Sequence, residues 1–198
     1  MNHLVRAMIA VPAIFAVAAC SPGASQRSAP PLAGAAIGGP FALVDQDGKR
    51  ATDRDFAGRY RIMYFGYTFC PDVCPVDMQK IGAALKQFEA RDPARAARVV
   101  PVFVSVDPER DTPANLKQFV SSFHPRAVGL TGSPAAIAQT AKAYAIYYKH
   151  QPPRPDGGYL VDHSTQAYLF GPDGKPIVLL TRDQTADQLA QELDRWVQ

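Results

Sequence analysis

Several things are scarce in this chain of 198 residues, and each scarcity removes a class of function. Positive charge is one: 21 Lys and Arg against 18 Asp and Glu leave a formal net charge of +3. With no Lys/Arg cluster, nothing here argues for a nucleic-acid partner. Apolar runs are short. The uncharged stretch over residues 7–19 falls below the ~20 residues that a membrane-spanning helix needs. No internal repeat is evident, which sets solenoid architectures aside. Cysteine is limited to Cys20, Cys70 and Cys74. The last two are four residues apart, and so short a loop constrains the unfolded chain weakly. A structural staple is therefore a poor explanation of the pair.

What is present begins with an export signal. Arg6 gives a basic start, residues 7–19 form an apolar segment, and Ala18-Ala19 stand directly before Cys20. The arrangement resembles a bacterial lipoprotein cleavage box. By that resemblance residues 1–19 are a signal peptide, and Cys20 is lipidated and becomes the mature N-terminus. Residues 21–38 are rich in Pro, Ala, Gly and Ser with one charge, Arg27, and read as a flexible tether. Residues 39–198 are enough for one domain with a sizeable core.

Within that domain, residues 41–44 and the turn signal Asp45-Gln46-Asp47-Gly48-Lys49 predict an N-terminal hairpin. Residues 60–65 read as a buried strand. Helical spacing of Ile81, Leu85 and Phe88 predicts a helix over 76–89, with Pro75 in its first turn. Residues 98–106 are a β-branched strand, and Asp111-Thr112-Pro113 caps a helix to Phe123. A short strand over 127–130 and a helix from Ser133-Pro134 follow. The Pro- and Gly-rich stretch 147–162 predicts a hairpin-like excursion with a mobile tip. A hairpin over 166–180 and a helix over 185–197 close the chain. Alternation of this kind predicts an α/β domain with a central sheet flanked by helices. With two thiols at the end of the first core strand it resembles the thioredoxin fold.

The chemistry concentrates at Cys70-Pro71-Asp72-Val73-Cys74-Pro75. Two sulfurs between a strand end and a helix start sit where amides and the helix dipole favour thiolate. A thiolate pair exchanges disulfides or holds a soft metal. Thioredoxin-type oxidoreductases use Cys-x-x-Cys and place a proline before the penultimate core strand. Here the spacing is one residue longer and the corresponding stretch is Val161-Asp162-His163-Ser164, with no proline. On that analogy His163 faces the thiols, and two thiolates with one imidazole suit copper. Zinc competes, but a closed zinc site wants a fourth ligand that is not obvious. Among secondary candidates, Asp72 is a weak ligand or electrostatic tuner or else a turn former, and Asp107 to Pro113 forms a partner surface, supports the metal loop or is simply a strand exit and helix cap. His124 reads as a helix-end residue satisfying carbonyls, His150 as a solvated loop residue and Met78 as core filler. Peroxidase chemistry on the same fold is a weaker reading, since no motif beyond Thr68-Phe69-Cys70 supports it.

Three segments in order make the resemblance specific: Phe69-Cys70-Pro71-Asp72-Val73-Cys74-Pro75, Ser105-Val106-Asp107-Pro108-Glu109-Arg110-Asp111-Thr112-Pro113, and Val161-Asp162-His163-Ser164. From about residue 39 onward the chain resembles the Sco/SenC family of copper-binding assembly factors for cytochrome c oxidase. The resemblance implies a membrane-tethered copper metallochaperone, with Cys70, Cys74 and His163 as ligands to Cu(I) or Cu(II). It implies that Cys70 and Cys74 close into a disulfide when copper leaves. Its implied partners are oxidase subunit II with its binuclear copper centre, an upstream periplasmic copper donor and a thiol reductant. The alternative is a thiol–disulfide oxidoreductase that reduces cysteines of that centre or of another exported protein. The implied location is the periplasmic face of the inner membrane, held by lipid on Cys20.

Overall fold

Two strands buried along their whole length set the frame. β3 (Tyr60–Gly66) and β4 (Val99–Ser105) have no exposed position, as expected of parallel strands covered on both faces. The computed structural model of this chain describes residues 28–155 and 157–198. The remaining elements follow in chain order around that pair. β1 (Ala42–Asp45) and β2 (Arg50–Thr52) form the N-terminal hairpin, closed by Asp45 accepting from the amides of Asp47 and Lys49. α1 (Val73–Arg91) and the short α2 (Pro93–Ala96) lie between β3 and β4. Then come α3 (Pro113–Ser121), β5 (Val128–Thr131) and α4 (Pro134–Ala143). β6 (Tyr148–His150), β7 (Val161–His163), β8 (Ala167–Phe170), β9 (Pro176–Leu180) and α5 (Ala186–Trp196) complete the domain.

The seven-stranded sheet runs β2-β1-β5-β4-β3-β8-β9, with β3, β4 and β5 mutually parallel and the other pairings antiparallel. β6 and β7 pair only with each other. This is the expected α/β sheet flanked by helices, with the hairpin and the excursion where the sequence places them. Thr112, Ser133 and Thr185 each accept an amide hydrogen bond at a helix start, which fixes where α3, α4 and α5 begin.

Three differences from the sequence reading have physical causes. α1 starts at Val73, so Cys74 lies inside its first turn. Pro75 is no obstacle there, because first-turn amides have no intrahelical acceptor. The cap with an N1 proline is found as read, at Thr112 and Pro113, but Asp111, grouped with them in the sequence, takes no part in it and is turned inward and buried. Residues 30–38, expected as part of the tether, lie on the domain: Leu32 donates its amide to the Ile177 carbonyl at 3.0 Å and Gly38 to the Ala143 carbonyl at 2.8 Å. The reason is coverage. α1 and α3 pack on the sheet face that carries Tyr64 and Phe103, and α5 lies along α1. The opposite face, with Phe65 and Phe170, meets Tyr144 at the end of α4. The N-terminal segment supplies more of its cover, and Gly38 is small because a Cβ there would stand 2.7 Å from the Phe170 ring.

Candidate metal centre

Parallel strands deliver their C-terminal ends to one pole of a sheet, and loops there gather side chains from distant parts of the chain. β3 ends at Gly66, and the loop that follows carries Cys70. The first turn of α1 carries Cys74, and β7, the return arm of the excursion, carries His163. The donor atoms of these three residues lie within 4.8 Å of one another. Among the described residues they form the sole group of at least three His, Cys, Asp or Glu side chains set closely enough to hold a metal ion. Cys74 is buried, whereas Cys70 and His163 are partly exposed, so the group opens to solvent on one side.

Backbone room makes the arrangement possible. A Cβ on Gly66 would stand 2.7 Å from Cys74 Sγ. Gly66→Ala is therefore expected to push the sulfur aside and weaken metal binding about 10- to 100-fold, the usual effect of disturbing the support around a ligand. Chelator competition reads that loss, and unchanged affinity would show that the loop absorbs the methyl group.

The thiols share one proton. The Cys70 thiol is pulled well below the ordinary range, first by a hydrogen bond from the Cys74 thiol and then, against burial, by further partners that include the amides of Cys74 and Asp72. Cys74 moves the other way, because it donates to Cys70 and because it is buried. The thiolate thus resides on Cys70, the sulfur that solvent reaches. Iodoacetamide should label Cys70 almost as fast at about pH 6 as at about pH 8, where an ordinary thiol would slow nearly 100-fold. Peptide mass spectrometry assigns the site, and an ordinary pH profile at Cys70 would contradict this charge distribution.

His163 is aimed before any metal arrives. Its Nδ1 lies 2.9 Å from the Ser164 carbonyl, which can only accept, so Nδ1 carries the proton. That leaves the lone pair on Nε2, 3.3 Å from Cys74 Sγ. The ring meets Tyr64 and Tyr67 at nearly right angles, with centroids 6.4 and 5.8 Å away. β7 is held by its ladder to β6, where Tyr148 pairs with His163, and by Ser164 donating to the Tyr147 carbonyl.

The segment after β4 supports the loop. Asp111 accepts from the Thr68 amide at 3.0 Å, the Thr68 hydroxyl at 2.6 Å and the Ser105 hydroxyl at 2.6 Å. One buried carboxylate thereby ties the loop before Cys70 to the end of β4. Arg110 joins that loop to the excursion. Its guanidinium lies 3.6 Å from the Tyr159 ring centroid and 5.2 Å from that of Phe69, and it donates to the Tyr159 carbonyl. Asp107 accepts from both Arg110 and the Tyr159 hydroxyl.

Other candidates fall outside the group. Asp72 supplies its amide, not its carboxylate, to Cys70. Met78 is core. His124 is buried beside Glu89 and accepts from the Arg126 amide, so it serves that pair rather than free helix carbonyls. His150 sits edge-on to Tyr159 and 3.8 Å from Asp107. Cys20 lies outside the described residues. Gly66 was not singled out from the sequence, whereas Arg110 and Asp111 fall in the Asp107 to Pro113 segment, for which support of the metal loop was one of the readings. The available signal was the Asp-Pro-Glu-Arg-Asp run at the end of a buried strand parallel to β3, which puts it beside the cysteine loop.

Comparison with known proteins agrees with this geometry. The SCO1/SenC family model matches residues 29–198. The mitochondrial Protein SCO1 homolog 1 of Arabidopsis thaliana is 42% identical over 163 residues, 82% of this chain but 48% of that protein. The chain thus spans about half the length of that relative. The crystal structure of Arabidopsis thaliana ScoI with copper bound is 41% identical, with a TM-score of 0.76 and coverage of 81% of this chain and 98% of that one. BsSco, described as carrying a disulfide switch and as a member of the Sco family of cytochrome c oxidase assembly proteins, is 27% identical with a TM-score of 0.61, covering 80% of this chain and 91% of that one. A thioredoxin domain from Bacteroides vulgatus shares the fold alone, at 16% identity and a TM-score of 0.56 over 82% of this chain and 96% of its own. The fold is thioredoxin-like, and with its two-cysteine, one-histidine group in place the chain belongs to the SCO1/SenC family.

Proposed function

We propose that this protein is a membrane-tethered copper metallochaperone that binds one copper ion through Cys70, Cys74 and His163 and assists assembly of the binuclear copper centre of cytochrome c oxidase subunit II. The convergence of these three donors within 4.8 Å carries the reading. Two sulfurs and one imidazole suit copper in either common oxidation state. A closed structural zinc site wants a fourth protein ligand, and the group among the described residues has three. The copper-bound relative supports the same assignment. Lipid on Cys20 holds the domain at the periplasmic face of the membrane, where an upstream donor loads it and a dithiol reductant keeps Cys70 and Cys74 reduced. No helix among the described residues is long and apolar enough to cross a membrane.

Anaerobic Cu(I) titration of the reduced domain against a competing chelator tests the reading. One tight equivalent is expected, abolished in Cys70→Ser/Cys74→Ser and transferable to the copper-free soluble domain of subunit II. Weak binding without transfer sinks it.

A second reading is favoured by the contrast between an open Cys70 thiolate and a buried Cys74 thiol. In that chemistry Cys70 attacks a disulfide of the partner and forms a mixed disulfide, releasing one partner sulfur. Cys74 then loses its proton and displaces the second, so two electrons pass to the partner and the chain is left as the Cys70–Cys74 disulfide. Rapid reduction of oxidised subunit II by copper-free protein would favour this reading.

A further inference from the structure

We propose that the pole of the sheet opposite the metal centre is a membrane-facing surface, with phospholipid headgroups as the occupant of the groove found there. The inference rests on the anchoring of Cys20 proposed above. Seven residues lie between Cys20 and Ser28, where the described residues begin, making eight Cα–Cα steps. Fully extended, they reach at most about 29 Å. The place where they arrive is fixed, because Ala33 donates to the Pro30 carbonyl and Leu32 to the Ile177 carbonyl on β9. An anchor so short, joined to so fixed a point, brings that part of the surface close to the bilayer.

The surface there is suited to it. A groove of about 790 Å³ lies between the docked segment, the β8–β9 turn and the end of α5, and Pro30, Tyr60, Pro172, Ile177 and Trp196 are among its lining residues. Tryptophan prefers the headgroup level of a bilayer, where an apolar ring and a polar edge are both accommodated, and Trp196 is partly exposed at the groove. The rim cations Lys175 and Arg195 stand 3.6 and 3.4 Å from Asp173 and Glu192, so local charges cancel and the surface does not depend on anionic lipid. Tyr60, at the groove, opens β3, and Gly66, against Cys74, closes it. Six steps along the strand separate the two by about 20 Å. With the groove on the headgroups, the metal centre points away from the membrane.

Trp196 is the chain's single tryptophan, so its emission reports on this pole alone. The full lipidated chain is placed on phosphatidylcholine vesicles with and without a headgroup-nitroxide lipid, and co-flotation is checked first. Trp196 emission should fall by about half with the nitroxide, as expected of a ring at headgroup level. In Trp196→Phe/Tyr147→Trp the reporter moves to the metal pole, where Tyr147 is 61% exposed, and its emission should hold. Protein that floats but shows no quenching of Trp196, or equal quenching at both poles, overturns the proposal alone. Failure to float overturns the anchor and the proposal together. Emission that changes with protein concentration in the absence of lipid would give the groove to a second copy, and overturns it as well.

Discussion

His163→Ala lowers the Cu(I) affinity of the reduced domain by about 100-fold or more, since even changes to groups supporting a ligand cost 10- to 100-fold. The His163 Nδ1 proton is committed to the Ser164 carbonyl, and the remaining lone pair points at the sulfurs. The ring is also fixed by Tyr64 and Tyr67, so little freedom is lost when metal binds. The fold should tolerate the change, because the residue is partly exposed and lies on a two-stranded ribbon outside the main sheet. Chelator competition measures the affinity, and thermal unfolding of the copper-free protein shows that the domain is intact. A further signature follows from the shared proton. Copper binding needs both sulfurs as thiolates, and Cys74 holds a proton when free. Affinity should therefore rise about tenfold per pH unit near neutrality, as one proton is released per metal bound. An affinity within about threefold of the parent in His163→Ala would mean that two thiolates alone hold the ion.

Asp111→Ala costs about 3 kcal/mol of stability, because three donors lose one acceptor and unpaired groups cost about 1–3 kcal/mol each before water relieves some of them. For a domain of this size that is a fall in Tm of about 6–12 °C. Burial pushes the Asp111 carboxyl above its usual pKa range, so the ionised group is held there at a cost. Its three bonds to Thr68 and Ser105 are what the cost secures. Thr68 stands two residues before Cys70, so copper affinity should fall with stability. Thr112→Ala, which removes only the cap of α3, is the control: it should lose about 1 kcal/mol and leave copper binding alone. Equal behaviour of the two variants would reduce Asp111 to an ordinary stabilising residue.

Much of this was legible in the sequence because periodic signals are local. β3 and β4 announce themselves by the apolar runs over residues 62–65 and 99–104, and α3, α4 and α5 by a hydroxyl cap. His163 was placed by fold analogy, and its proximity to Cys74 agrees. Less legible was anything decided by what an element meets in three dimensions. Asp111-Thr112-Pro113 reads as a cap whichever of its first two residues does the capping. Only packing shows that Asp111 turns inward to the cysteine loop. Gly66 is one strand residue among seven until a sulfur is found against it. Residues 30–38 have the composition of a linker, and composition cannot reveal that one face of the sheet lacks cover.

The unequal burial of the two thiols would give the proposed metal exchange a direction. An incoming ligand from another protein can approach the ion from the Cys70 side, while Cys74 is walled in by Gly66 and the first turn of α1. Under the proposed function, unloading would be a sequence of substitutions: the newcomer bonds first, Cys70 yields its place, and Cys74 lets go last. On that reading copper would pass from protein to protein without being set down in solution.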